Sequence, residues 1–210
     1  MGQIRAVLVD PEVPARLSLG KADEPALAPS EVLVRVSAIS LNRGEVHRAQ
    51  TTEPGFNPGW DLAGTVEKSA ADGTGPQVGA RVVGFLASGA WAELTAVPTN
   101  SLAELPEGVS FAEAATLPVA GLTALYALEK GGGLLGRSVL VTGASGGAGH
   151  LAIQSHASPA PGWWPSCVAK STRGWYVRRG RTRSRSARTR RAPELSAHTT
   201  SSSSRSAGRF

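Results

Sequence analysis

Residues 138–154 read SVLVTGASGGAGHLAIQ, and this stretch decides the fold. Val139, Leu140 and Val141 form the continuous β-favouring run that a parallel strand buried on both faces needs. Gly143, Gly146 and Gly149 follow at a spacing of three, and a helix opens behind them. Glycine at such positions permits positive φ, lets the backbone approach a pyrophosphate and lets the helix pack closely on its strand. The free N–H groups of the helix start then face the ligand, and their partial positive charge stabilises a phosphate without a basic side chain. The candidate cofactor-binding residues are therefore Gly143, Ser145, Gly146, Gly147, Ala148 and Gly149. A purely structural turn is the alternative reading.

Composition divides the chain at the end of this stretch. Residues 1–154 carry a net charge of −5 and residues 155–210 carry +11, so the overall +6 comes wholly from the C-terminal part. A hydrophobic content of 41% is enough for a real core. With Cys167 as the single cysteine there is neither a disulfide framework nor a thiolate zinc site, which fits a reducing compartment. No apolar run reaches the roughly 18 residues that a membrane span needs. The N-terminus lacks a signal-peptide pattern, so the expected location is the cytoplasm.

Upstream, the chain reads as many short strands with turns between them. Ile4 to Val9 is a first strand, ended by Asp10-Pro11, with Arg16 to Leu19 as its partner. Ala22 to Pro29 reads as a loop. Glu31 to Ala38 alternates in period two, placing Val32, Val34 and Val36 on one face. Arg43 to Arg48 makes a short helix carrying His47, and Leu62 to Glu67, Arg81 to Leu86 and Trp91 to Val97 are further strands. The spacing predicts a small barrel-like all-β domain. Leu102 to Val109 reads as a connector. Ser110 with Glu113 three residues on is a capping-box spacing, Pro118 opens a second helix whose Leu122, Leu125, Tyr126 and Leu128 keep one face apolar, and Gly131, Gly132 and Gly133 stop it.

This order, with the words LNRGE, PGWDLAGTVE, LPVAGLTALYAL and VLVTGASGGAG, resembles the medium-chain dehydrogenase/reductase superfamily in its zinc-independent quinone oxidoreductase-like branch, over residues 1 to about 154. The resemblance implies an α/β plus β fold. A chaperonin-10-like (GroES-like) β-barrel catalytic domain would occupy residues 1–100, and a helical connector and the first β–α of a Rossmann domain residues 101–154. It implies an oxidoreductase using NADPH, with NADH left open, in the cleft between the domains, a small-molecule quinone or enone substrate, and a homodimer in intact relatives.

Zinc-dependent relatives place a Cys ligand where this chain has Ser40-Leu41-Asn42, and a His-Glu pair where it has Trp60-Asp61, so no zinc is expected. Without a Lewis acid, the chemistry implied is hydride delivery to a quinone or an α,β-unsaturated carbonyl, where conjugation spreads the developing charge onto an oxygen that hydrogen-bond donors stabilise. The catalytic candidates carried over are Asn42, a polar group near nicotinamide and substrate, and Thr123, near the nicotinamide. A turn-capping asparagine and a helix-packing threonine are the competing readings. His47 and His150 lack a positioned carboxylate and read as surface or packing residues. Trp60 reads as a wall of the cleft or barrel, and Asp61 has the same status.

After Gln154 neither a helical nor a strand period persists, and residues 155–210 read as a disordered basic tail. Regrouping inferred high-GC codons one base earlier turns residues 155–161 into L-A-R-L-A-G plus alanine or proline. The same shift turns residues 193–204 into G-A-L-G-A-H-D-V-V-V-V, a helix–turn–strand phrase. The tail is therefore expected to be out of frame and the enzyme truncated and inactive, with weak cofactor binding. The alternatives are a non-catalytic GroES-like module and nucleic-acid binding through the Arg/Ser-rich tail.

Overall fold

The computed structural model describes residues 2–132, 134, 139–157, 167–171 and 174–178, with side chains through residue 155. The chain divides into two compact units, residues 1–180 and 181–210, the second lying outside the described residues.

Strand β1, Gln3–Val9, pairs antiparallel with β2, Leu17–Asp23, from Gln3 opposite Asp23 to Val9 opposite Leu17. The partner strand is longer than the expected Arg16 to Leu19 and takes in Ala22 and Asp23, read above as loop. Pairing along β1 overrides the weak β propensity of Gly20, Lys21 and Asp23.

A five-stranded antiparallel sheet follows. It contains β3 (Glu31–Ile39), β4 (Asp61–Lys68), β5 (Arg81–Phe85), β6 (Leu94–Pro98) and β7 (Leu102–Glu104), in the order β6-β3-β4-β5-β7. Strand β7 lies inside the expected connector; its three residues pair with β5 and are too few to show a period. Strand β6 starts later than Trp91 because the segment before it bonds to the hairpin instead. Val7 donates to the Trp91 carbonyl at 2.9 Å and Glu93 to the Arg5 carbonyl at 3.0 Å. Asn57 fastens the same junction, its Nδ2 donating to the carbonyls of Val7 at 2.7 Å and Trp91 at 3.0 Å.

Val32 and Val34 pack with Leu62, Val66, Val82 and Val97 in the main core, all buried. Leu33, from the other face of β3, meets Ile4 and Leu94 beneath the hairpin. Strand β3 is thus covered on both sides, although its sequence alternates. Gly64, in mid-β4, has no room for a side chain, since a Cβ there would strike the Arg35 carbonyl oxygen.

Helix α1, Arg43–Ala49, leaves the end of β3. Helix α2, Phe111–Ala115, starts at the expected cap: Ser110 Oγ accepts the Glu113 N–H at 3.2 Å and Glu113 Oε2 accepts the Ser110 N–H at 3.0 Å. Its Ala114 and Ala115 pack on Ala63 of β4. Helix α3, Pro118–Lys130, has proline in its first turn as expected, buries Ala124 and leaves Leu122, Leu125 and Tyr126 exposed.

Strand β8, Val139–Val141, turns at Gly143 into helix α4, Gly147–Ala157, and β8 runs parallel to β9, Cys167–Ser171, itself antiparallel to β10, Gly174–Arg178. Parallel pairing of β8 agrees with the reading of its apolar run. Burial on both faces does not, because Leu140 is 55% exposed: among the described residues β8 has one strand neighbour and only three residues. Within residues 155–210 the described residues are the end of α4, which continues to Ala157, and the short strands β9 and β10. Their Cys-Val-Ala and Trp-Tyr-Val cores favour strand but are too short to establish a period. The rest of the Arg/Ser-rich stretch lies outside the described residues.

Candidate active site

Two buried carboxylates organise the end of the sheet. Glu45, in the first turn of α1, is 1% exposed; its Oε2 accepts the Asn42 N–H at 2.6 Å and its Oε1 the Trp60 N–H at 2.6 Å. Burial raises its pKa above the ordinary glutamate value, opposed by these hydrogen bonds and reinforced by the nearby charge of Asp61. Asp61, the first residue of β4, has no exposed surface; its Oδ2 accepts from Asn42 Nδ2 at 2.7 Å and its Oδ1 from the Val119 N–H at 2.8 Å. A carboxylate at the start of β4 therefore reaches the first turn of α3.

Asn42 is the N-cap of α1, in extended conformation at φ −111° and ψ 142°. The competing reading of Asn42 as a capping residue is thus met by its position, while its side-chain nitrogen is directed to Asp61. It borders a cavity of about 450 Å³ lined by Leu41, Arg43, Val46, His47 and Gln50. Thr123 is exposed on α3 and borders a different cavity, of about 340 Å³, whose walls are Trp60, Phe85, Val119, Leu122 and Tyr126. An adjoining apolar cavity of about 410 Å³ lies between β5, α3 and Leu151 of α4. The two catalytic candidates therefore do not share a cavity and are linked through Asp61. Trp60 takes its expected place as a wall. His47 is exposed, and the His150 ring meets Gln154 one turn on rather than a carboxylate.

The glycine turn has the geometry its sequence implies. Gly143 adopts φ +67°, and its carbonyl accepts the Gly146 N–H at 2.9 Å. A Cβ on Gly149 would strike the Gly143 carbonyl oxygen. Ser145, Gly146 and Gly147 are exposed, while Ala148 and Gly149 are half-buried. The first N–H groups of α4 have no intrahelical partner. A glycine-rich turn with open backbone donors at a helix start fits a pyrophosphate.

Among the described residues no group of three His, Cys, Asp or Glu side chains is arranged to hold a metal ion. No described helix is long and apolar enough to cross a membrane.

Sequence reasoning missed Glu45 and gave Asp61 too little. The signals were present: Glu45 stands three residues after Asn42, the same spacing that identified the cap at Ser110, and Asp61 directly precedes an apolar strand.

The alcohol dehydrogenase GroES-like domain family matches residues 28–107. The chain is 37% identical over 140 residues to a zebrafish (Danio rerio) synaptic vesicle membrane protein VAT-1 homolog, covering 64% of this chain and 29% of that protein. It is also 37% identical over 145 residues to a 2-methylene-furan-3-one reductase of Solanum lycopersicum, covering 62% of this chain and 37% of the reductase. Among solved structures, the quinone oxidoreductase of Coxiella burnetii superposes with a TM-score of 0.73 at 27% identity, over 82% of this chain and 58% of that one. The chain thus spans about a third of the length of these curated relatives and somewhat over half of the solved one.

Proposed function

Since this chain belongs to the medium-chain dehydrogenase/reductase superfamily, in its quinone oxidoreductase-like branch, we propose that its site is that of an NADPH-dependent, zinc-free reductase acting on a quinone or an α,β-unsaturated carbonyl. The observation that carries the reading is the aromatic cavity of Trp60, Phe85 and Tyr126 with Thr123 on its rim, beside the Asn42–Asp61 pair. Flat aromatic walls suit a planar conjugated ligand and exclude water from it. Where the resemblance implies a Cys ligand and a His-Glu pair in zinc-dependent relatives, this chain has Ser40-Leu41-Asn42 and Trp60-Asp61, and both oxygens of Asp61 already accept hydrogen bonds. A relative named as a 2-methylene-furan-3-one reductase, whose named substrate is a conjugated enone, supports the same class.

Bound NADPH supplies a hydride, and a quinone that accepts it takes one proton from solvent to become the hydroquinone. The free backbone N–H groups of Ser145, Gly147, Ala148 and Gly149 would hold the pyrophosphate, while the Gly146 N–H, already bonded to the Gly143 carbonyl, keeps the turn closed. Thr123 and Trp60 would orient the acceptor in their shared cavity, while Asn42 borders a separate cavity with its Nδ2 held by Asp61. The chain would hold the cofactor weakly, because among the described residues β8 contributes only three residues with one strand neighbour to the sheet that carries the turn.

The test is NADPH oxidation by the purified chain with a 1,4-benzoquinone and with a cyclic enone, each with and without a metal chelator. The sequence leads to the expectation of an inactive chain; the cavity and the glycine turn lead instead to slow acceptor-dependent oxidation, insensitive to chelator and at non-saturating cofactor. No oxidation with either acceptor would overturn the assignment, loss of rate with chelator would overturn its zinc-free part, and saturable micromolar NADPH binding by calorimetry would overturn the weak binding.

A further inference from the structure

Asp61 is a fully buried acid that the chemistry above does not use, and its two oxygens serve two elements distant in sequence. A carboxylate can only accept hydrogen bonds, so its contact with Asn42 fixes which end of that amide is nitrogen. The other oxygen repairs a defect in α3. Pro118 has no N–H, and Leu117 at the N-cap offers no side-chain acceptor, which leaves the Val119 N–H to be met from outside the helix. Asp61 meets it, and places negative charge at the positive end of α3. Thr123 lies one turn further along that helix.

We propose that Asp61 is a positioning residue: one carboxylate sets the polarity of the Asn42 amide and seats the helix that carries Thr123, so that residues bordering separate cavities are held in one geometry. The catalytic part of this inference rests on the reductase reading; the geometric part does not.

The experiment compares the full chain with Asp61→Asn. The replacement keeps the shape and still offers one oxygen to Val119, but presents an NH₂ to the NH₂ of Asn42, which must turn over. The side-chain amide NMR signals of Asn42 are expected to move. In the quinone assay kcat is expected to fall about tenfold or more with KM little changed, and Asp61→Asn is expected to cost almost nothing further in an Asn42→Ala background. Unmoved Asn42 signals, or independent multiplication of the two kinetic effects, would overturn the proposal. Should Asp61→Asn not fold, the exchange Asn42→Asp with Asp61→Asn rebuilds the pair with donor and acceptor reversed. Recovery of the folded state then supports the proposal, and failure to recover overturns it. If the unsubstituted chain reduces neither acceptor, the reductase reading falls, and the Asn42 signals alone decide the role of Asp61.

Discussion

The indole of Trp60 lies directly on Gly44. A Cβ built on that glycine would collide with Cη2 of the ring and come within 2.9 Å of Cζ3. Gly44 is in the first turn of helix α1, where replacing glycine by alanine is ordinarily neutral or stabilising, by at most about 1 kcal/mol. Here the sign is expected to reverse. Gly44→Ala should destabilise by about 1–3 kcal/mol in chemical denaturation and displace Trp60 from the cavity wall, lowering kcat/KM for the planar acceptor. A stabilised variant would show that the ring yields at no cost.

Glu45 predicts a pH slope whose sign is fixed by its raised pKa. The native state binds its proton more tightly than the unfolded chain does, so this residue's contribution to stability is fully present below the unfolded pKa. It is lost as pH rises through the folded one. Asp72, Glu93 and Glu113 are shifted the opposite way by their hydrogen bonds, and their slopes are common to both proteins compared. Urea titrations across the window from the ordinary carboxylate value upward should therefore show the stability of the parent relative to Glu45→Gln falling as pH rises. An equal or rising difference would refute the shift.

The two outer glycines of the turn should fail differently on substitution. Gly143 has open space around its missing Cβ but a positive φ, so Gly143→Ala strains the backbone by about 1–2 kcal/mol. Gly149 has no such φ, but an added methyl meets the Gly143 carbonyl, so Gly149→Ala should push α4 away from the turn. Fluorescence titration with NADPH is expected to show a larger loss of affinity for Gly149→Ala, since the donors themselves move.

Leu62 is a fully buried side chain in the central strand β4, next to Asp61. Leu62→Ala should cost about 2–5 kcal/mol by denaturant titration. Val78, 64% exposed, should tolerate alanine within about 0.5 kcal/mol.

Much of this was legible because it depends on local signals. The period-two run at Val32, Val34 and Val36, the Ser110–Glu113 cap, the proline opening α3 and the glycine turn each act within a few residues. What escaped depended on distant partners. Nothing near Leu102 announces that three residues complete a sheet by pairing with β5. Nothing near Asp61 announces that its second partner is Val119. Composition reports what a strand can bury, whereas burial depends on which neighbours lie alongside it, and Leu140 is accordingly exposed despite its apolar run.

The amide of Asn57 also has a kinetic meaning. It joins the carbonyls of Val7 and Trp91, and those three residues come from segments far apart along the chain. Neither the hairpin nor the sheet can supply both acceptors, so the junction forms only after each has been built. Docking of β1–β2 is therefore expected after the transition state. Asn57→Ala should leave the refolding rate nearly unchanged and accelerate unfolding.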